Sequence, residues 1–141
     1  MRTITIAHDI LDQMKRHALH DFPYECVGFF YGDLEKDQRL VKEYRPVANS
    51  DTTNKKRKFE VSPLDYIQAE RHALRHNVQL LGVYHSHPLH PAVPSVHDLQ
   101  QAVPVFSYII SSVNESEVES VTSWWLNEDE NRFEEEILIL N

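Results

Sequence analysis

The run Val78-Gln79-Leu80-Leu81-Gly82-Val83-Tyr84 ends in His85-Ser86-His87-Pro88, and that ending restricts the fold more than any other stretch of the chain. A short apolar run closed by proline reads as a strand. Side chains alternate along a strand, so His85 and His87 leave it on the same face. Two imidazoles held in this way can reach one ion. Asp98 follows eleven residues after His87, past a loop carrying Pro88, Pro91 and Pro94, and offers a carboxylate as a third ligand. A His/His/Asp set leaves the fourth position of a tetrahedral zinc open, which is the arrangement of a catalytic rather than a structural metal.

The remaining constraints are broader. A chain of 141 residues fits one domain with its own core. Its single cysteine, Cys26, rules out an intrachain disulfide framework and points to a reducing, intracellular setting. The N-terminus lacks the apolar core of a signal peptide, and no run approaches the roughly 18 apolar residues of a membrane span, so a soluble, cytoplasmic protein is expected. A net charge of -8 argues against a nucleic-acid backbone as principal partner. The exception is the basic run Lys55-Lys56-Arg57-Lys58, readable as a solvated loop or edge strand, or as a docking patch for an acidic partner.

Taken in order, residues 7 to 19 place Ala7, Ile10, Leu11, Met14 and Ala18 at helical spacing. His8, His17 and His20 on or beside this helix have no partner at ligand spacing and read as ordinary surface residues. Tyr24 to Tyr31 reads as a strand ended by a turn at Gly32-Asp33, with Glu25, Val27, Phe29 and Tyr31 on one face and Cys26, Gly28 and Phe30 on the other. Further strands are expected at Gln38 to Val47 and Lys58 to Val61. Ser62-Pro63-Leu64-Asp65 starts a second helix that reaches about His76, with Leu64, Ile67 and Leu74 as its buried stripe. His72 and His76 on that helix read as a solvated pair, since the glutamate of the zincin helix motif is missing. Ser95 caps a third helix that holds Asp98. Strands at Val105 to Ser112, Val118 to Leu126 and Arg132 to Leu140 complete a chain of about six strands and three helices.

Catalysis at such a metal also needs a base for the water proton. Glu25, a carboxylate at the start of an apolar strand, is either that base or a residue at a fraying strand end in water. Ser95 and Asp98 are likewise either helix-capping residues or, respectively, a donor to a developing oxyanion and a metal ligand. Cys26 faces away from Glu25 and reads as a small buried hydrophobe.

His85-Ser86-His87-Pro88 through Pro94-Ser95-Val96-His97-Asp98 resembles the signature of the JAMM, or MPN-plus, metalloprotease family, and Pro23-Tyr24-Glu25-Cys26-Val27-Gly28 resembles that family's segment with the catalytic glutamate. The resemblance spans nearly the whole chain, 1–141. It implies a cytidine-deaminase-like α/β fold, a curved mixed sheet flanked by helices. It also implies one zinc ion per chain held by His85, His87 and Asp98, with Glu25 as general acid/base and Ser95 as oxyanion donor. No ligand of the pattern is missing, so nothing suggests the inactive MPN type. His90 and His97 are extra histidines expected to lie off the metal.

The implied activity is hydrolysis of an amide at or near the C-terminus of a ubiquitin-like or sulfur-carrier-like protein, or of a short peptide. The chain has little room for the insertions with which larger relatives grip two ubiquitins, so a small stand-alone enzyme of the prokaryotic sort is expected. The rival reading is a non-catalytic MPN-type scaffold. A nucleobase deaminase would need a cysteine pair that a chain with one cysteine lacks.

Overall fold

The computed structural model describes residues 2–141; Met1, with which the N-terminal stretch begins, lies outside them. The elements are β1 (Thr3–Ile6), α1 (His8–Asp21), β2 (Val27–Glu35), β3 (Gln38–Val47), α2 (Pro63–Arg75), β4 (Gln79–Pro88), α3 (Val96–Gln100), β5 (Ser107–Val113), β6 (Val118–Asn127) and β7 (Arg132–Leu140). The strands join in the order β1-β3-β2-β4-β5-β6-β7 and the sheet closes into a barrel. A mixed α/β sheet with three helices was expected; its closure was not. Closure depends on β1, four residues that pair in parallel with both β3 and β7 and bury Ile4 and Ile6 completely.

Strand alternation divides the core in two. One face of the sheet, to which all seven strands contribute, gathers Ile4, Ile6, Cys26, Phe30, Val41, Leu81, Tyr84 and Ile109 against Leu11, Met14 and Ala18 of α1. The other carries Val27, Phe29, Tyr31, Val83 and Tyr108, covered by Phe59, Val61, Ala69 and Ala73. The predicted facing of the Glu25–Tyr31 stretch is therefore observed for Val27, Phe29 and Tyr31 against Cys26 and Phe30.

Several expectations are corrected. β2 begins at Val27, and it runs through Gly32-Asp33 to Glu35 rather than turning there. The register slips between Tyr31 and Gly32, and a Cβ on Gly32 would lie inside the Leu40 carbonyl oxygen, so this glycine permits a close backbone approach at a bulge. Lys58–Val61 is not a strand. Its carbonyls find scattered partners instead of a ladder: Lys58 O accepts from Asn49 Nδ2, Phe59 O from Gln101 Nε2, and Glu60 O from the Ser50 N–H and hydroxyl. In α2 the inward positions are Ala69, His72 and Ala73, while Leu64, Ile67 and Leu74 are exposed.

Two histidines read as solvated are not. His72 is buried, with its ring nitrogens on Arg45 Nη1 at 2.8 Å and on Glu43 Oε1. His17 meets the buried Tyr84 hydroxyl at 2.7 Å and Asp21 at 3.2 Å. Burial lowers the His17 pKa, although Asp21 works in the opposite direction. His8, His20 and His76 are exposed as expected. No helix among the described residues is long and apolar enough to cross a membrane.

Candidate metal centre

β4 delivers both histidines to one face, as period-two alternation requires, and each retains 1% of its exposure. The proline loop and α3 then return the chain so that Asp98 Oδ2 lies 3.1 Å from His87 Nε2 and Asp98 Oδ1 lies 3.8 Å from His85 Nε2. Asp98 is itself buried. Ligand atoms about 2 Å from a tetrahedral zinc ion stand roughly 3.3 Å from one another, so this spacing fits a shared ion.

Hydrogen bonding supports the fit. The Pro91 carbonyl accepts from His87 Nδ1 at 2.8 Å, which leaves the lone pair of Nε2 facing Asp98. Both ring nitrogens of His85 are buried without a hydrogen-bond partner, and so is Glu25 Oε1. Such groups are costly to bury unless a partner enters the site. Burial disfavours the Asp98 carboxylate, but His85, His87 and the Ser95 backbone N–H outweigh it and hold its pKa well below the usual range. Burial likewise works against His85 protonation, and the carboxylates of Asp98 and Glu25 outweigh it. The first shift keeps Asp98 anionic, and the second shows that the pocket favours positive charge at His85.

Glu25 lies just before β2, where alternation alone could not decide its surroundings. It is 2% exposed, and its Oε1 stands 3.6 Å from His85 Nδ1. Backbone contacts fix it there. The Glu25 N–H donates to Lys55 O at 2.7 Å, and Asn49 Nδ2 donates to Glu25 O at 3.2 Å. The next residue is stapled to β4: Cys26 N–H donates to Ser86 Oγ at 2.8 Å, and Ser86 N–H donates to Cys26 O at 3.2 Å. Burial pushes the Cys26 thiol up to about 12, so it is an inert core group, as its facing implied.

The third helix answers the capping question without removing the other role. Ser95 Oγ accepts from Asp98 N–H at 3.0 Å, and Asp98 Oδ2 accepts from Ser95 N–H at 2.9 Å, a complete capping box. Asp98 Oδ1 is left for the centre, and the Ser95 hydroxyl, used as an acceptor, still has its own hydrogen to donate.

His97 turns away, with Nε2 3.4 Å from Phe59 O. His90 comes closer than its place in the proline loop suggested. Its ring stacks on that of His87 at 4.1 Å between centroids, and it forms a second potential ligand group with Glu25 and His87. Ser86, Asn49 and Phe59 position the centre without any prior signal of doing so. For Ser86 the clue was its place between the two histidines, on the opposite face of the strand.

The chain compares closely with known proteins. Residues 7–127 match the family model described as prokaryotic homologs of the JAB domain. It is 30% identical over 105 residues to a Thermus thermophilus protein named "Probable TtuB-protein conjugate cleaving protease", covering 74% of this chain and 67% of that one. It is 28% identical over 113 residues to a Pyrococcus furiosus desampylase, covering 79% and 72%. The solution structure of a Desulfitobacterium hafniense protein superposes with a TM-score of 0.85 at 29% identity, covering 98% of this chain and 92% of the other. With a family match over residues 7–127 and the two histidines, aspartate and glutamate of the expected signature gathered at one buried centre, the chain belongs to the prokaryotic homologs of the JAB domain.

Proposed function

We propose that this protein is a zinc-dependent peptidase or isopeptidase that hydrolyses an amide at or near the C-terminus of a ubiquitin-like or sulfur-carrier-like protein, or of a short peptide. The observation that carries this reading is the buried, unpartnered set of Glu25 Oε1 and the His85 ring nitrogens beside the His85/His87/Asp98 group. Relatives named as a conjugate-cleaving protease and a desampylase support the substrate class. The cytidine-deaminase-like description of the sheet belongs to the same reading.

His85, His87 and Asp98 would hold the ion. When bound, zinc supplies a Lewis acid that activates water and polarises the amide carbonyl. Glu25 accepts the proton of the attacking water and returns it to the leaving nitrogen, so that water adds across the C–N bond as it breaks. The Ser95 hydroxyl donates to the carbonyl oxygen as charge develops there. Burial of Glu25 and the ligands limits competing solvent around the reacting atoms. A scaffold reading leaves the unpartnered Glu25 and His85 without an account.

The test is incubation with a panel of ubiquitin-like and sulfur-carrier proteins carrying C-terminal fusions or conjugates, with cleavage sites read by mass spectrometry. Cleavage at the carrier terminus should stop with a chelator and return with zinc. A folded, zinc-loaded protein that cleaves no member of the panel would overturn the reading. Ser95→Ala should lower turnover by about 10²–10³, far beyond the roughly 0.5–2 kcal/mol of stability that loss of a cap costs. A stability loss with unchanged turnover would confine Ser95 to capping.

A further inference from the structure

The basic run Lys55-Lys56-Arg57-Lys58 belongs to the segment between β3 and α2, and that segment is fixed to the metal centre. Lys55 supplies the carbonyl that accepts from the Glu25 N–H at 2.7 Å. Asn49 Nδ2 bridges Glu25 O at 3.2 Å and Lys58 O at 3.0 Å. Phe59, at the end of the run, is buried with its ring centroid 4.4 Å from that of His85. Asp51 closes the turn, accepting from Thr53 N–H at 3.0 Å and Asn54 N–H at 2.6 Å. The charges are therefore presented at a set place beside the centre.

Their side chains have no other employment. Lys55, Lys56 and Arg57 are exposed, and no ion pair within 4.0 Å involves them among the described residues. Lys55 also lines a cleft of about 620 Å³ together with Asp21, Phe22, Tyr24, Glu25 and Asn49, so this end of the run lies beside the segment that carries Glu25. Three cations on one loop, unpaired among the described residues, run against the overall sign of a chain with net charge -8 and concentrate positive potential on that loop.

We propose that Lys55, Lys56 and Arg57 form a receptor for an acidic protein segment, placing carboxylates that flank the scissile amide beside the His85/His87/Asp98 centre. The identity of the bond rests on the amide-hydrolase reading above; the receptor itself is a statement about binding. One loop of exposed charges is too small a basic surface for a nucleic-acid backbone, which needs an extended stripe.

The test uses the zinc-loaded Glu25→Gln protein and three fluorescent isopeptides that differ only in the residues flanking the isopeptide bond, which are Glu, Gln or Lys. Anisotropy titrations should rank them Glu, Gln, Lys, with about a tenfold preference for Glu over Gln at ~0.02 M salt that vanishes at ~1 M. Adding Lys55→Gln/Lys56→Gln/Arg57→Gln should abolish the ranking. The charge-matched set Lys36→Gln/Arg71→Gln/Arg75→Gln, none of which lies on this loop or lines its cleft, should preserve it. If the first triple fails to fold, Lys56→Gln/Arg57→Gln should give an intermediate loss. Equal binding of the three peptides, a ranking that survives in the loop variant, one lost equally in the matched set, or tighter binding of an oligothymidine would each overturn the receptor. Preferred binding of the Glu peptide with no hydrolysis by the wild-type zinc-loaded protein would sink the hydrolase reading and leave the receptor standing.

Discussion

Glu25→Gln is expected to lower turnover of a cleavable conjugate by about 10²–10⁴ while leaving the metal content of the purified protein unchanged. Glutamine fills the same space and keeps the backbone bonds to Lys55 O and Asn49 Nδ2, so the loop and strand around it have no reason to move. What it loses is the ability to take up and release a proton. Parallel measurement of kcat and of bound metal separates two roles, because Glu25 also lies within ligand reach of His87 and His90. Full activity in the variant would place the proton elsewhere. Loss of metal would make Glu25 a ligand.

Asp98→Asn should weaken metal binding by more than about 100-fold, abolish hydrolysis, and also lower the stability of the metal-free protein near neutral pH, because the attraction to His85 and His87 that depresses the carboxyl pKa is lost. Asparagine still offers an oxygen to the Ser95 N–H, so the capping box can survive, but it lacks the charge that His85 and His87 stabilise in the native carboxylate. His90→Ala is the control, since it removes the stacking partner of His87 but no member of the His85/His87/Asp98 group. Metal titration of both variants, followed by thermal melts without metal, decides between the two ligand groups. Retained affinity in Asp98→Asn with loss in His90→Ala would move the ion to the Glu25/His87/His90 side.

The parts of this centre that could be read in advance were those governed by short-range geometry. Two histidines at strand spacing and a capped helix carrying an aspartate need only local rules, and β4 and α3 obey them. Glu25 was undecided because it precedes its strand, so that its environment depends on a loop some thirty residues downstream, closed by Lys55 and Asn49. The face of α2 was misjudged for a different reason. Large apolar side chains drew the stripe through Leu64, Ile67 and Leu74, whereas the buried face is made by Ala69 and Ala73 with the hydrogen-bonded His72. β1 escaped because four residues carry too little pattern to announce a strand, and closure of the sheet escaped with it.

The pair of hydrogen bonds between Cys26 and Ser86 ties Glu25 to the strand that carries the two histidines. Glu25 is held from both sides, by Lys55 O and Asn49 Nδ2 of the loop and, through Cys26, by β4 between His85 and His87. Any shift of β2 against β4 would therefore carry the carboxylate and the imidazoles together. Their mutual distance is inherited from strand pairing, and the loop only trims it.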